Sequence, residues 1–100
     1  MKKVYEINEL RRLIAPIAQA FGVRRLALFG SYARGIATPA SDVDLRIVDR
    51  GTLRGLFRLA AFQTALEEKL KLNVDVVPTD SLSEVFLDNI KDEEIIVYDG

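Results

Sequence analysis

The sequence predicts an α+β domain, a mixed β-sheet of about four strands with helices packed mainly on one face. Two alternating apolar runs, 43–48 and 74–77, flank a long helical stretch at 52–72, and a strand–helix–strand crossover favours parallel neighbours. An earlier apolar run, 24–29, reaches 43–48 through a shorter connection that allows antiparallel pairing. Helically spaced segments at 7–21 and from 81 onward complete the order helix, strand, strand, helix, strand, helix, strand. A chain of 100 residues suffices for one domain, 1–100, and not for a second lobe.

Ile7 to Phe21 reads as the first helix, with Asn8 as N-cap and Leu10, Leu13, Ile14, Ile17 and Phe21 on one face. Pro16 lacks a backbone donor, so a kink or restart is expected there, and Gly22 ends the helix. Arg24 to Phe29 is short, apolar and followed by glycine, which suits a buried strand. Ser31 to Gly35 reads as a helical turn starting at Ser31, and 36–41, with Thr38-Pro39, as loop. In 43–48, Val43, Leu45 and Ile47 point one way, and Asp44 and Arg46 the other, with Asp42 just ahead of them. Asp49-Arg50-Gly51 reads as a turn, and Thr52 caps a helix to Leu72. Val74 to Val77 is the third strand, ended by Pro78. Ser81 starts the last helix in a capping box with Glu84, and 95–98 forms the final strand.

Composition narrows the chemistry. There is neither cysteine nor histidine, so thiolate catalysis, disulfides, Cys or His metal sites and a histidine general base are excluded. The tools that remain are carboxylates, hydroxyls, Lys, Arg, backbone N–H groups and a hard cation. Net charge is -1, and the basic clusters are short, so no direct nucleic-acid contact is expected. No apolar run reaches membrane-spanning length and none heads the chain, which makes a cytoplasmic location the default expectation.

Asp42 and Asp44 then require a reason. They are two residues apart on a strand that disfavours Asp, and Asp75 reaches the same face if its strand lies alongside. Two like charges ~4 Å apart repel by about 4 kcal/mol at an effective dielectric of 20. Domains of this kind are stable by only ~5–15 kcal/mol. A divalent cation reverses that cost: clustered oxygen donors suit Mg²⁺ or Mn²⁺, which accept substrate phosphates as further ligands. Gly30-Ser31, between strand and helical turn, adds a close backbone approach, exposed N–H groups and a hydroxyl for phosphate oxygens. Arg34 or Arg46 is placed to neutralise developing charge. The structural alternatives are a Ser-capped turn, Asp42 capping the Ser41 loop, Asp44 paired with Arg46, Asp75 facing solvent on an edge strand, and Arg34 as an exposed helix residue. Asp49 and Asp80 sit in turns and are assigned no function.

The string Gly30-Ser31-Tyr32-Ala33-Arg34-Gly35, followed by Ser41-Asp42-Val43-Asp44-Leu45 and later by Asn73-Val74-Asp75-Val76-Val77, resembles the minimal nucleotidyltransferases of the DNA polymerase β-like superfamily. The resemblance covers nearly the whole chain and implies the nucleotidyltransferase fold. It implies transfer of AMP, or another nucleoside monophosphate, from ATP to a hydroxyl. Asp42 and Asp44 would hold two Mg²⁺ ions, Asp75 would bind metal or activate the acceptor, and Gly30, Ser31 and Arg34 would bind nucleotide. Members of this type are often antitoxins that adenylylate a HEPN-domain toxin, so a HEPN partner is the expectation and a homo- or hetero-oligomer is compatible with it.

The long helix bears on partners. Leu56, Leu59, Phe62, Leu66 and Leu70 form one stripe, and Leu53, Phe57, Ala61 and Ala65 lie roughly opposite. Either the C-terminal segment, with Phe86 and Leu87, covers the second stripe, or another protein does. The alternative functions are a non-catalytic antitoxin that binds its toxin and the catalytic half of a small-molecule nucleotidyltransferase similar to aminoglycoside-modifying enzymes.

Overall fold

The computed structural model describes residues 4–49 and 55–100. Helix α1 spans Ile7–Ala20, strand β1 Arg25–Phe29, the short helix α2 Gly30–Ala33 and strand β2 Val43–Ile47. Helix α3 spans Leu56–Leu70, strand β3 Val74–Pro78, helix α4 Glu84–Ile90 and strand β4 Ile95–Asp99, with a 3-10 turn at Thr79–Ser81. The sheet runs β3-β2-β1-β4; β2 and β3 are parallel, and β1 is antiparallel to both β2 and β4. The expected mixed four-stranded sheet is therefore present.

One face carries the main core. Leu26 and Leu28 of β1, Val43, Leu45 and Ile47 of β2, and Val74 and Val76 of β3 pack against Leu10, Ile14 and Ala18 of α1 and Phe62, Leu66 and Leu70 of α3. Period two on the strands and 3.6 on the helices bring these side chains to a single layer. The rings of Phe21 and Phe62 meet at a tilt of 54°, with centroids 5.3 Å apart. The second face is partly covered by α4, whose Phe86 meets Phe29 edge-on at 5.8 Å.

Several boundaries move. The N-cap of α1 is Glu6, not Asn8, and the Glu9 carboxylate accepts its N–H at 3.1 Å. The helix passes through Pro16 as one element; Pro16 and Arg12, whose carbonyl loses its usual donor, both face solvent, where water can take that carbonyl. Helix α2 begins at Gly30 rather than Ser31. The last helix is capped by Ser83, whose hydroxyl accepts from the Phe86 N–H at 3.1 Å, while Ser81 donates to the Pro78 carbonyl. Helix α3 stops at Leu70, with Lys71 left-handed at φ 60°. The Thr52 cap and the Arg50-Gly51 turn lie outside the described residues. Leu56 does not join the core stripe: it is 79% exposed, and Phe57 is 92% exposed. Phe86 turns to the other face of the sheet, so the C-terminal segment does not cover Phe57.

Strand β3 is an edge, and its outward amides are occupied. The Val74 N–H donates to Glu67 at 3.0 Å and the Val76 N–H to Gln63 at 3.2 Å, both from α3. Side-chain acceptors of this kind blunt an edge against further pairing.

Candidate active site

The acidic residues meet because β2 and β3 are parallel and in register. Asp44 lies directly opposite Asp75, and Val43 opposite Val74. Since Val43, Leu45, Val74 and Val76 fill the core, period two sends Asp44 and Asp75 to the second face. Asp42 precedes β2 and is exposed. A compact turn holds it in place: the Thr38 N–H donates to the Ser41 hydroxyl at 2.9 Å, and the Ser41 N–H returns to the Thr38 carbonyl at 2.9 Å. A cavity of about 300 Å³ opens beside Asp42, lined by Ser41, Glu67, Lys71 and Asn73 among others; it lies between the 39–42 loop and the end of α3 and does not include Asp44, Asp75 or the Gly30-Ser31 turn.

Electrostatics mark Asp44 as the centre. Its pKa is raised from 3.8 to about 6, first by burial, then by repulsion from Asp75 and Asp42 and a hydrogen bond with Asp75, with Arg34 opposing. The carboxyl is thus half protonated near pH 6 and mostly ionised by pH 7.5, where its charge is held against those of Asp75 and Asp42.

Gly30 fits against this carboxylate. It stands at φ +76°, and a Cβ added there would collide with Asp44 Oδ2. Only glycine takes that backbone and leaves that space without strain. Phe29 of β1 is opposite Asp44, so the chain turns into α2 immediately beside the carboxylate pair. Ser31 follows, half-buried, and buried Tyr32 anchors α2 to the core, its hydroxyl accepting from the Tyr5 N–H at 3.4 Å.

The arginines separate. Arg34 acts on Asp44 electrostatically and lies 3.5 Å from Glu93. Arg46 is committed elsewhere. Its Nε and Nη2 donate to Glu94 at 2.7 and 2.8 Å, and its Nη1 donates to the Thr79 hydroxyl at 2.7 Å. Thr79 in turn donates to the Ile47 carbonyl at 2.6 Å. Arg46 is therefore a structural tie between the sheet and the α4–β4 turn, its guanidinium engaged by Glu94 and Thr79 rather than by Asp44. Glu93, absent from the sequence-based candidates, accepts the Gly30 N–H at 2.8 Å.

The donor set suits a hard divalent cation. All three carboxylates offer oxygen, Asp44 and Asp75 are cross-strand neighbours, and Asp42 is close enough to raise the pKa of Asp44. Among the described residues no three acidic side chains yet converge as a finished cage.

Comparison with known proteins agrees with this geometry. A nucleotidyltransferase domain model matches residues 10–97. A "putative protein adenylyltransferase" of Methanocaldococcus jannaschii is 38% identical over 91 residues, covering 91% of this chain and 97% of the relative. Protein adenylyltransferase MntA of Thermococcus cleftensis is 41% identical over 66 residues, 66% of each chain. A toxin–antitoxin solved with AMP-PNP shares the fold at TM-score 0.77 and 20% identity, over 90% of this chain and 73% of the other. A match along most of the length, with acidic pair and glycine–serine turn in one place, means that this chain belongs to the nucleotidyltransferase domain family and is a nucleotidyltransferase.

Proposed function

We propose that this nucleotidyltransferase moves AMP from ATP to a hydroxyl of a partner protein and serves as the antitoxin of a HEPN-type toxin–antitoxin pair. The observation that carries the reading is the in-register pairing of Asp44 with Asp75 beside the Gly30-Ser31 turn. Support for the acceptor class comes from the relatives named as protein adenylyltransferases. The toxin–antitoxin fold neighbour bound to AMP-PNP supports the nucleotide and the partner.

Each residue has a task. Gly30 and Ser31 present backbone N–H groups and a hydroxyl to triphosphate oxygens. Arg34 lends positive charge where the leaving pyrophosphate gains negative charge. Asp42, Asp44 and Asp75 would hold Mg²⁺, whose charge offsets that of the phosphates and polarises the transferred group. Asp75, exposed on the outer strand, would either complete the metal site or take the proton of an acceptor hydroxyl arriving from a partner. Most of the rate gain is then alignment and charge neutralisation, as phosphoryl-type transfers require.

The test combines the protein with Mg²⁺, α-labelled ATP and the product of the adjacent gene. Label is expected on the partner and should disappear in Asp42→Asn/Asp44→Asn. Label surviving both substitutions would defeat the assignment, and label on a small molecule with no protein acceptor would move it to another substrate class.

Exposed Leu56 and Phe57 favour a second reading, an antitoxin that acts by contact alone. Under it the double Asn variant neutralises the toxin fully, and Phe57→Glu abolishes protection.

A further inference from the structure

We propose that Glu93 is an internal occupant of the triphosphate subsite, holding the Gly30 amide and Arg34 until nucleotide displaces it, and so sets nucleotide affinity. The inference rests on the reading of Gly30, Ser31 and Arg34 as the triphosphate grip.

Glu93 Oε2 accepts the Gly30 N–H at 2.8 Å, and Oε1 lies 3.5 Å from Arg34 Nη1. One carboxylate thus engages two groups assigned to phosphate, an amide and a guanidinium. It supplies the same two things a phosphate would, paired acceptor oxygens and negative charge.

The neighbouring contacts show that this placement is built into the fold. The N–H groups of Glu93 and Glu94 both donate to the Ile90 carbonyl at 3.0 Å, closing the turn after α4. Glu94 is then clamped in two-point contact by Arg46, with both side chains only 12–13% exposed. The backbone at 93 is therefore fixed, and Glu93 is aimed at the Gly30 turn by a rigid support.

The two acidic neighbours differ in what breaking them costs. The Glu94–Arg46 pair is short, two-pronged and shielded. The Glu93–Arg34 pair is long and has an arginine side chain 51% exposed, so it is weak and screened. An arriving triphosphate can outcompete Glu93 while Glu94 keeps the turn in place. Arg34 also lies within electrostatic reach of Asp44, so once released it is already beside the acidic row.

Calorimetric titration with inorganic tripolyphosphate, and separately with Mg²⁺–AMP-PNP, tests this. If the carboxylate fills the subsite most of the time, apparent affinity is reduced by the fraction left open. Glu93→Gln keeps the size and an acceptor but loses the charge, and should bind both ligands about 5- to 10-fold more tightly. Glu93→Ala, checked by thermal melting to be folded, should also bind more tightly. Arg34→Ala should cost more affinity when combined with Glu93→Gln than in wild type, because wild-type Arg34 is already engaged. Equal or weaker binding by both Glu93 variants, or an identical Arg34→Ala penalty in the two backgrounds, would overturn the proposal while leaving the nucleotidyl-transfer reading intact. Failure of wild type and variants alike to bind either ligand would overturn both.

Discussion

Replacing Asp44 with Asn should stabilise the metal-free protein at neutral pH. The Asp44 carboxyl titrates at about 6 in the fold against 3.8 as a free side chain. A folded value above the unfolded one means that the group favours the folded state below pH 3.8 and loses that advantage as pH rises through about 6. Above that range, folding holds a carboxylate against Asp75 and Asp42. A fully shielded group moved this far would cost about 3 kcal/mol. Asp44 is only partly shielded, and solvent screening leaves about 1 kcal/mol. Asn has nearly the same shape, carries no charge and can donate to Asp75. In a domain of this size about 1 kcal/mol corresponds to a rise in Tm of roughly 4–8 °C. Thermal melts followed by circular dichroism in EDTA should show that rise at pH 7.5 and its disappearance near pH 4. Mg²⁺ should then stabilise wild type more than the variant, narrowing the gap. A variant that melts at or below the wild-type temperature at pH 7.5, or a difference that does not change with pH, would refute the reasoning.

Other substitutions probe other contacts. Gly30→Ala places a methyl group against Asp44 and forces a side chain into left-handed backbone; a loss of about 1–2 kcal/mol in denaturant melts, with loss of AMP-PNP binding, is expected. Arg46→Met strands the shielded Glu94 carboxylate and should cost about 3 kcal/mol, whereas Arg46→Met with Glu94→Met should recover much of it in the same melts. Phe62→Ala removes a fully buried ring and should lower stability by about 3–5 kcal/mol, while Phe57→Glu, on the exposed face of the same helix, should stay within about 0.5 kcal/mol of wild type.

The parts of this molecule written in local periodicity were legible. Alternation at Val43, Leu45 and Ile47 placed β2, its facing side and the direction of Asp44. The length of the crossover gave the parallel β2–β3 pair, and with it the meeting of Asp44 and Asp75. Caps were less visible: Asn8 and Ser81 are good capping residues, but Glu6 and Ser83 hold the cap positions, because the tertiary placement of α1 and α4 fixes where each helix begins. Leu56 fitted a core stripe by spacing alone, yet the first turn of α3 extends beyond the packed layer and leaves it in solvent. Glu93 and Arg46 could not be read locally at all. Their roles depend on β4 returning antiparallel to β1, which brings the turn after α4 to the end of β1 where Gly30 sits. An acidic pair just ahead of the last strand was the available signal, and it acquires meaning only once that strand order is known.

The most direct measurement is calorimetric binding of AMP-PNP, with and without Mg²⁺, to wild type and to Asp44→Asn. If Asp42, Asp44 and Asp75 form a cation-dependent nucleotide site beside Gly30-Ser31, wild type binds with Mg²⁺ and much more weakly in EDTA, and Asp44→Asn loses the Mg²⁺-dependent part. Binding of equal strength in EDTA, or Mg²⁺-dependent binding undiminished in Asp44→Asn, would contradict it.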